Sequence, residues 1–140
     1  MNQAGLDLLK EFEGFRSQAY KDPAGIWTIG YGFTEGVKEG DTITEDRALI
    51  RLDKELEPRE QAVRNLCAAA NPNQLAAMVC FAYNVGIGNF RASSVLRFHN
   101  QSLFDKAADA FRMWSVIRGK YSPGLARRRE AERSLYLRTP

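Results

Sequence analysis

The stretch Leu75–Val85 carries no charged residue and is apolar on nearly every side when wound as a helix. A helix that is hydrophobic all round has to be buried. Its unbroken apolar part, Leu75–Tyr83, is too short to cross a bilayer, which takes about 20 residues. The burial must therefore be inside a protein core, and the rest of the chain must enclose it. Upstream, Asn71-Pro72-Asn73-Gln74 offers an N-cap, a Pro at the first helical position and a Gln at N3. Gly86 and Gly88 are expected to end the helix. With 140 residues the chain is one domain, large enough to bury roughly two-thirds of its unfolded surface.

Amphipathic helices are expected around this central one. In the first, Leu6, Leu9 and Phe12 recur at helical spacing, and Gly14 supplies the stop, so Glu13 is the last helical residue. Thr44 is a plausible N-cap for a second, whose stripe of Leu49, Leu52 and Leu56 continues as Val63 and Leu66. Pro58 interrupts that stripe, so a kink or a restart is expected there. Short helices near Ser94–Phe98 and Phe104–Trp114 follow, and Ser122-Pro123 opens a last one over Leu125–Leu137.

Only one region reads as β. Asp22-Pro23-Ala24-Gly25 has the residues of a type I turn. Ala19–Lys21 precede it, and Ile26–Phe33 follow as a strand. Trp27, Ile29, Tyr31 and Phe33 would share one face of that strand; Ile26, Thr28, Gly30 and Gly32 would share the other, nearly bare one. Glycines inside a strand often mark close approach by a ligand or another backbone. A further turn cluster spans Glu35–Asp41. One small hairpin among many helices makes the class α+β.

The charge is uneven. Residues 1–70 hold 9 Lys/Arg and 13 Asp/Glu, and residues 71–140 hold 11 and 4. The basic half favours a polyanionic partner without choosing among nucleic acid, headgroups and cell wall. Consecutive Arg127, Arg128 and Arg129 point in different directions on a helix, so some must meet acids or cover apolar surface. With no helix-turn-helix, zinc or stacking motif, nucleic acid is not the expected partner. The one histidine, His99, excludes any multi-His metal site and reads as a surface residue at a helix end. Cys67 and Cys80 form no CxxC pair and suit core filling. Trp27, Tyr31, Trp114 and Tyr121 could stack on sugars, but such aromatics more often serve the core. Gly30-x-Gly32 and Gly86-x-Gly88 lack the third glycine of a dinucleotide loop. The first residues lack a leader's basic and apolar regions, so the expected product is soluble in the cytoplasm.

Acid–base chemistry therefore falls to carboxylates. Glu13 sits at a helix C-terminus, where unpaired carbonyls favour the protonated acid. Asp22 stands at a hairpin corner, where water and backbone N–H groups keep it charged. Thr28 adds a hydroxyl able to orient water. Two carboxyls in unlike environments are what glycoside hydrolysis needs. On spacing alone, Asp22 would serve equally as a turn residue and Glu13 as a solvated charge.

The wording of the stretch goes further. Glu13-Gly14, Ala19-Tyr20-Lys21-Asp22 and Gly25-Ile26-Trp27-Thr28-Ile29-Gly30-Tyr31-Gly32 resemble the phage-type lysozymes, the muramidase endolysins with which tailed phages break host walls. Tyr83-Asn84-Val85-Gly86, Ala107–Phe111 with Trp114, and Gly124-Leu125 with Arg127–Glu130 are similar to later segments of that family, in the same order. The resemblance implies a lysozyme-like fold: a first-helix and hairpin lobe over about 1–43, a helical lobe over about 44–140, and a cleft between them. It implies a lysozyme cutting the β-1,4 bond between N-acetylmuramic acid and N-acetylglucosamine in peptidoglycan, without metal or cofactor and with inversion. Glu13 would be the acid, Asp22 would act on the opposite face, and Thr28 would hold the water. Gly30, Gly32, Thr34, Tyr83 and Asn84 are candidates for substrate contacts. Inverting enzymes keep their carboxyls about 6.5–9.5 Å apart. The implied setting is a monomer made in the host cytoplasm, without stable membrane insertion, that reaches the wall through a holin-type pore protein. Phe33-Thr34 departs from the family, which usually has His-Thr or His-Leu there. A lytic transglycosylase on the same bond and a non-catalytic wall-binding relative are the rival readings.

Overall fold

The computed structural model describes residues 1–140. The chain divides into two compact units, Leu9–Glu55 and Met1–Leu8 with Leu56–Pro140. Two helices run through the divisions: α1 (Gln3–Glu13) and α2 (Glu45–Leu66). No helix is long and apolar enough to cross a membrane.

The larger unit is built on α3 (Pro72–Val85), in which Asn73 to Ala82 are all buried. Its start is the expected capping box: the Asn71 side chain accepts from Gln74 N at 2.8 Å, and Gln74 Oε1 accepts from Asn71 N at 3.0 Å. Gly86 closes it, with its N–H on Ala82 O at 2.9 Å. Gly88 does not act as a stop, because the chain winds at once into α4 (Ile87–Ala92). There follow α5 (Ser94–Asn100), α6 (Phe104–Ala110) and a 3₁₀ turn, Phe111–Trp114. Strands β3 (Val116–Ile117) and β4 (Lys120–Tyr121) form a hairpin that the sequence reading did not anticipate, and α7 (Pro123–Leu137) packs along α3. Phe81 is the hub of the aromatic core, with Phe111, Trp114 and Phe90 rings centred 5.1, 5.6 and 6.2 Å away.

Three charged side chains of α7 are inside: Arg128, Arg129 and Glu132. Glu132 pairs with Arg128 Nε at 3.1 Å and Arg129 Nε at 2.8 Å. Further donors meet α3: Arg128 Nη2 bonds Cys80 O at 3.1 Å, and Arg129 Nη2 bonds Asn84 Oδ1 at 2.7 Å. Arg129 also lies over the Phe81 ring. Arg128 and Arg129 thus meet an acid, as expected for some of the three consecutive arginines; farther out, Arg112 pairs with Glu130 and Arg133 with Asp109.

His99 is not a surface residue. It is 1% exposed, with Nδ1 2.6 Å from Tyr136 Oη and Nε2 3.2 Å from Ala68 O. A carbonyl can only accept, so His99 Nε2 donates to Ala68 O. With both ring nitrogens partnered, the imidazole can be buried at little cost. Phe104, from the following helix, stacks on the ring and completes the cover.

In the smaller unit, Gly14 N bonds Lys10 O at 2.9 Å and ends α1 at Glu13, as expected. Strand β1 (Arg16–Lys21) pairs antiparallel with β2 (Trp27–Gly30), with Tyr20 opposite Thr28 and a bulge between Arg16 and Tyr20. The other edge of β1 is taken by residues 41–43, through Ala19 N on Asp41 O and Ile43 N on Ser17 O. The second strand stops at Gly30, short of the expected Phe33. Gly30 and Gly32 take φ of 65° and 82°, and Ile29 and Phe33 exchange two backbone hydrogen bonds across the reversal. Helix α2 starts at the Thr44 cap and runs through Pro58 without a restart. Leu52, Leu56 and Val63 are buried on both sides of the proline, and that burial outweighs the one lost backbone bond.

Removing Glu132 by Glu132→Ala strands two buried guanidinium groups. It should cost about 3–5 kcal/mol and lower Tm in calorimetry by on the order of 10 °C. Burial raises the Tyr136 phenol above its ordinary range. The folded state thus holds that proton where the unfolded chain releases it, so the contribution is present below about pH 10 and lost above. Urea titrations across this range should show an alkaline fall in stability that is shallower in Tyr136→Phe.

Candidate active site

Glu13, Asp22 and Thr28 all lie in Leu9–Glu55. Each is set by a different local device. Glu13 ends α1 and is half-buried. Its carboxylate lies against Gly32: a Cβ on Gly32 would stand 2.5 Å from Glu13 Oε1. The close approach expected at the strand glycines is thus made by a carboxylate of the same chain. Gly32 is required twice, for this space and for its positive φ.

Asp22 holds the hairpin turn. Gly25 N bonds Asp22 O at 2.8 Å, the signature of the expected turn. Asp22 Oδ1 accepts from Ala24 N and Ile26 N, both at 2.9 Å. Oδ2 takes no part in these bonds. Two backbone N–H groups on one oxygen fix the direction of the carboxyl group.

Thr28 is buried, at 4% exposure, and does not lie on a bare face. Its hydroxyl donates to Ile26 O at 2.9 Å. With its hydrogen so committed, Oγ1 has only lone pairs left, and the group acts as an acceptor. Asp22 N also bonds Ile26 O at 2.9 Å. Asp22 and Thr28 are therefore held by the peptide groups of one residue, Ile26. No sequence signal marks that residue, because the contacts use only its backbone.

Tyr31 and Phe33 are core residues, in edge contact with one another at 6.4 Å. The Tyr31 hydroxyl donates to Glu45 Oε1 at 3.4 Å; burial first, and then this carboxylate, raise its pKa. Phe33 fills the space over Gly30, where a Cβ would come within 2.6 Å of its ring. Arg51 lies 4.7 Å above the Phe33 ring centre and donates to Glu35 O at 2.9 Å and Glu55 Oε1 at 3.4 Å. The position where the family usually has histidine is thus an aromatic and cation stack. Thr34 is exposed. Tyr83 and Asn84 belong to the other unit, in the last turn of α3; Tyr83 lies under Arg59, and Asn84 receives Arg129. An open groove of about 490 Å³ along α2, among Arg47, Ile50, Arg51 and Lys54, includes none of the three catalytic candidates.

A helix-end acid, a hairpin and a mostly helical remainder with a buried central helix define a lysozyme-like α+β protein. Comparison with known proteins narrows this. A sequence profile of the family described as phage lysozyme matches residues 10–132. The chain is 34% identical to an endolysin of Acyrthosiphon pisum secondary endosymbiont phage 1, over 97% of each. It is 38% identical to the endolysin of Bacillus phage B103 over 98% of this chain, but spans only 54% of that protein, about half its length. Among solved structures, the muramidase domain of SpmX from Asticaccaulis excentricus matches with a TM-score of 0.92 at 40% identity, covering 99% of this chain and 97% of that one. The chain belongs to the phage lysozyme family.

Gly32→Ala should cost about 1–3 kcal/mol, from its φ and the clash with Glu13, read as a lowered urea midpoint. Asp22→Ala should lose about 1 kcal/mol with the turn bonds. Asp22→Asn keeps an acceptor oxygen and should stay within about 0.5 kcal/mol of wild type.

Proposed function

We propose that the chain is a peptidoglycan-hydrolysing lysozyme that cuts the β-1,4 bond from N-acetylmuramic acid to N-acetylglucosamine, with inversion. The observation that carries the reading is the pairing of Asp22 and Thr28 on the peptide groups of Ile26, in a unit that also holds the helix-end acid Glu13. Membership of the phage lysozyme family supports the substrate. A transglycosylase needs one acid only, so a second, backbone-held carboxylate favours hydrolysis.

In this mechanism the Glu13 carboxylic acid gives its proton to the glycosidic oxygen as the bond to the anomeric carbon breaks. Positive charge grows on that carbon. A water accepted by Thr28 Oγ1 and Asp22 attacks from the opposite face and passes its proton to Asp22. Exchange with solvent returns one proton to Glu13 and removes one from Asp22. Direct displacement by water gives inversion. Gly30, Gly32, Thr34, Tyr83 and Asn84 are the proposed substrate contacts. The lysozyme acts as a monomer on the wall in host lysis, after passing the inner membrane through a pore-forming partner.

Clearing of a bacterial wall suspension tests the roles. Glu13→Gln and Asp22→Asn should each fall by about 10²–10⁴, with the wild-type circular dichroism spectrum retained. Glu13→Gln clearing as fast as wild type would overturn the assignment. Mass spectrometry of the products should find reducing N-acetylmuramic ends; anhydro ends would point to transglycosylation.

A further inference from the structure

The β3–β4 hairpin has no role in the proposed reaction and is unlike the rest of the surface. All six residues from Val116 to Tyr121 are exposed, with Val116 and Ile117 at 53% and Tyr121 at 69%. Its turn is two residues long, Arg118 and Gly119, both at positive φ, which suits the twist of a tight hairpin. The base is pinned: Ser122 N bonds Ser115 O at 2.8 Å, Ser115 is buried, and Trp114 packs on Phe81. A fixed mount thus holds out a small projecting tip.

The pairing decides how that tip can be covered. Val116 lies opposite Tyr121, and Ile117 opposite Lys120. Directly paired residues share a face, and successive ones alternate. One face therefore carries Val116 and Tyr121, and the other carries Ile117 and Lys120. A flat partner covers one face of a hairpin; immersion in a soft layer covers both. The charges select the layer. No Asp or Glu occurs from 110 to 129. The acids that flank this stretch are engaged elsewhere, Asp109 with Arg133 and Glu130 with Arg112. Arg118 and Lys120 at the tip are thus offered to an external anion. A second copy of the chain does not fit, since a self-complementary contact would bring these cations against each other. Six residues also fall short of the roughly 800 Å² per partner of a stable interface. Sugar chains offer hydroxyls rather than hydrocarbon to valine and isoleucine.

We propose that the β3–β4 hairpin is a membrane-surface anchor, inserting Val116, Ile117 and Tyr121 into the headgroup layer of a bilayer of anionic phospholipid. Arg118 and Lys120 pair with the phosphates, their stems lying along the apolar side chains. Tyr121 keeps its hydroxyl at the wet level of the interface. The contact is peripheral and does not depend on the catalytic reading.

The test is sedimentation of the full chain with vesicles of phosphatidylglycerol and phosphatidylethanolamine, beside vesicles of phosphatidylcholine alone. Binding is expected on the anionic vesicles and should weaken with salt. Arg118→Ser/Lys120→Ser should weaken it about thirtyfold, and Val116→Ser/Ile117→Ser about tenfold, with unchanged circular dichroism. Ile117→Trp should gain blue-shifted emission on anionic vesicles only, above the Trp27 and Trp114 background. Glu13→Gln should bind as wild type, which separates this anchor from the catalytic proposal. Absent binding, equal binding to phosphatidylcholine, indifference to Val116→Ser/Ile117→Ser, or an unshifted Ile117→Trp spectrum would each overturn the proposal. Indifference to the serine pair would assign binding to diffuse positive charge.

Discussion

The larger unit depends on one constraint: α3 has no charged residue and must be enclosed, yet its neighbour α7 is rich in charge. The two are reconciled by a cluster in which Glu132 holds Arg128 and Arg129, while Cys80 O and Asn84 of α3 take up further guanidinium hydrogens. The apolar helix contributes acceptors at its last turns and leaves the charge to its partner. Such a cluster is directional where hydrophobic contact is not, so it fixes the rotation of α7 against α3 as well as filling space. The Phe81 ring under Arg129 joins that cluster to the aromatic core.

The smaller unit solves a different problem. The three side chains of the proposed site are held with backbone rather than bulk, the kind of fixing that a catalytic constellation requires. Two peptide N–H groups hold Asp22 Oδ1, one carbonyl holds the Thr28 hydroxyl, and the bare Gly32 backbone receives the Glu13 carboxylate. Phe33 follows the same division of labour. It packs against Gly30 and carries Arg51 on its ring face, so the absence of histidine there leaves a packed site rather than a gap.

The parts of the fold legible in the sequence are those with local causes. The Gly14 stop, the Asn71–Gln74 box, the Asp22–Gly25 turn and the buried α3 each follow from a few neighbouring residues. The misreadings share a different origin. Ile26–Phe33 alternates like one strand, but the glycines let the chain reverse at Gly30. His99 looks like a surface residue until Tyr136, Ala68 and Phe104, all distant or in the next helix, close around it. The β3–β4 hairpin was missed because two-residue strands leave no periodicity to read.

The residues alone determined that the chain is α+β and that α3 is interior, and they singled out Glu13, Asp22 and Thr28 as the candidates for its chemistry, because composition, turn residues and motif wording are local properties. Only the tertiary structure decided which arginines are buried, that Thr28 is buried with its hydroxyl on Ile26 O, and what fills the space beside Gly30 and Gly32. These depend on groups far apart in the chain competing for the same hydrogen-bond partners and the same volume. A linear pattern records each residue's preference. Packing decides which of those preferences can be met together.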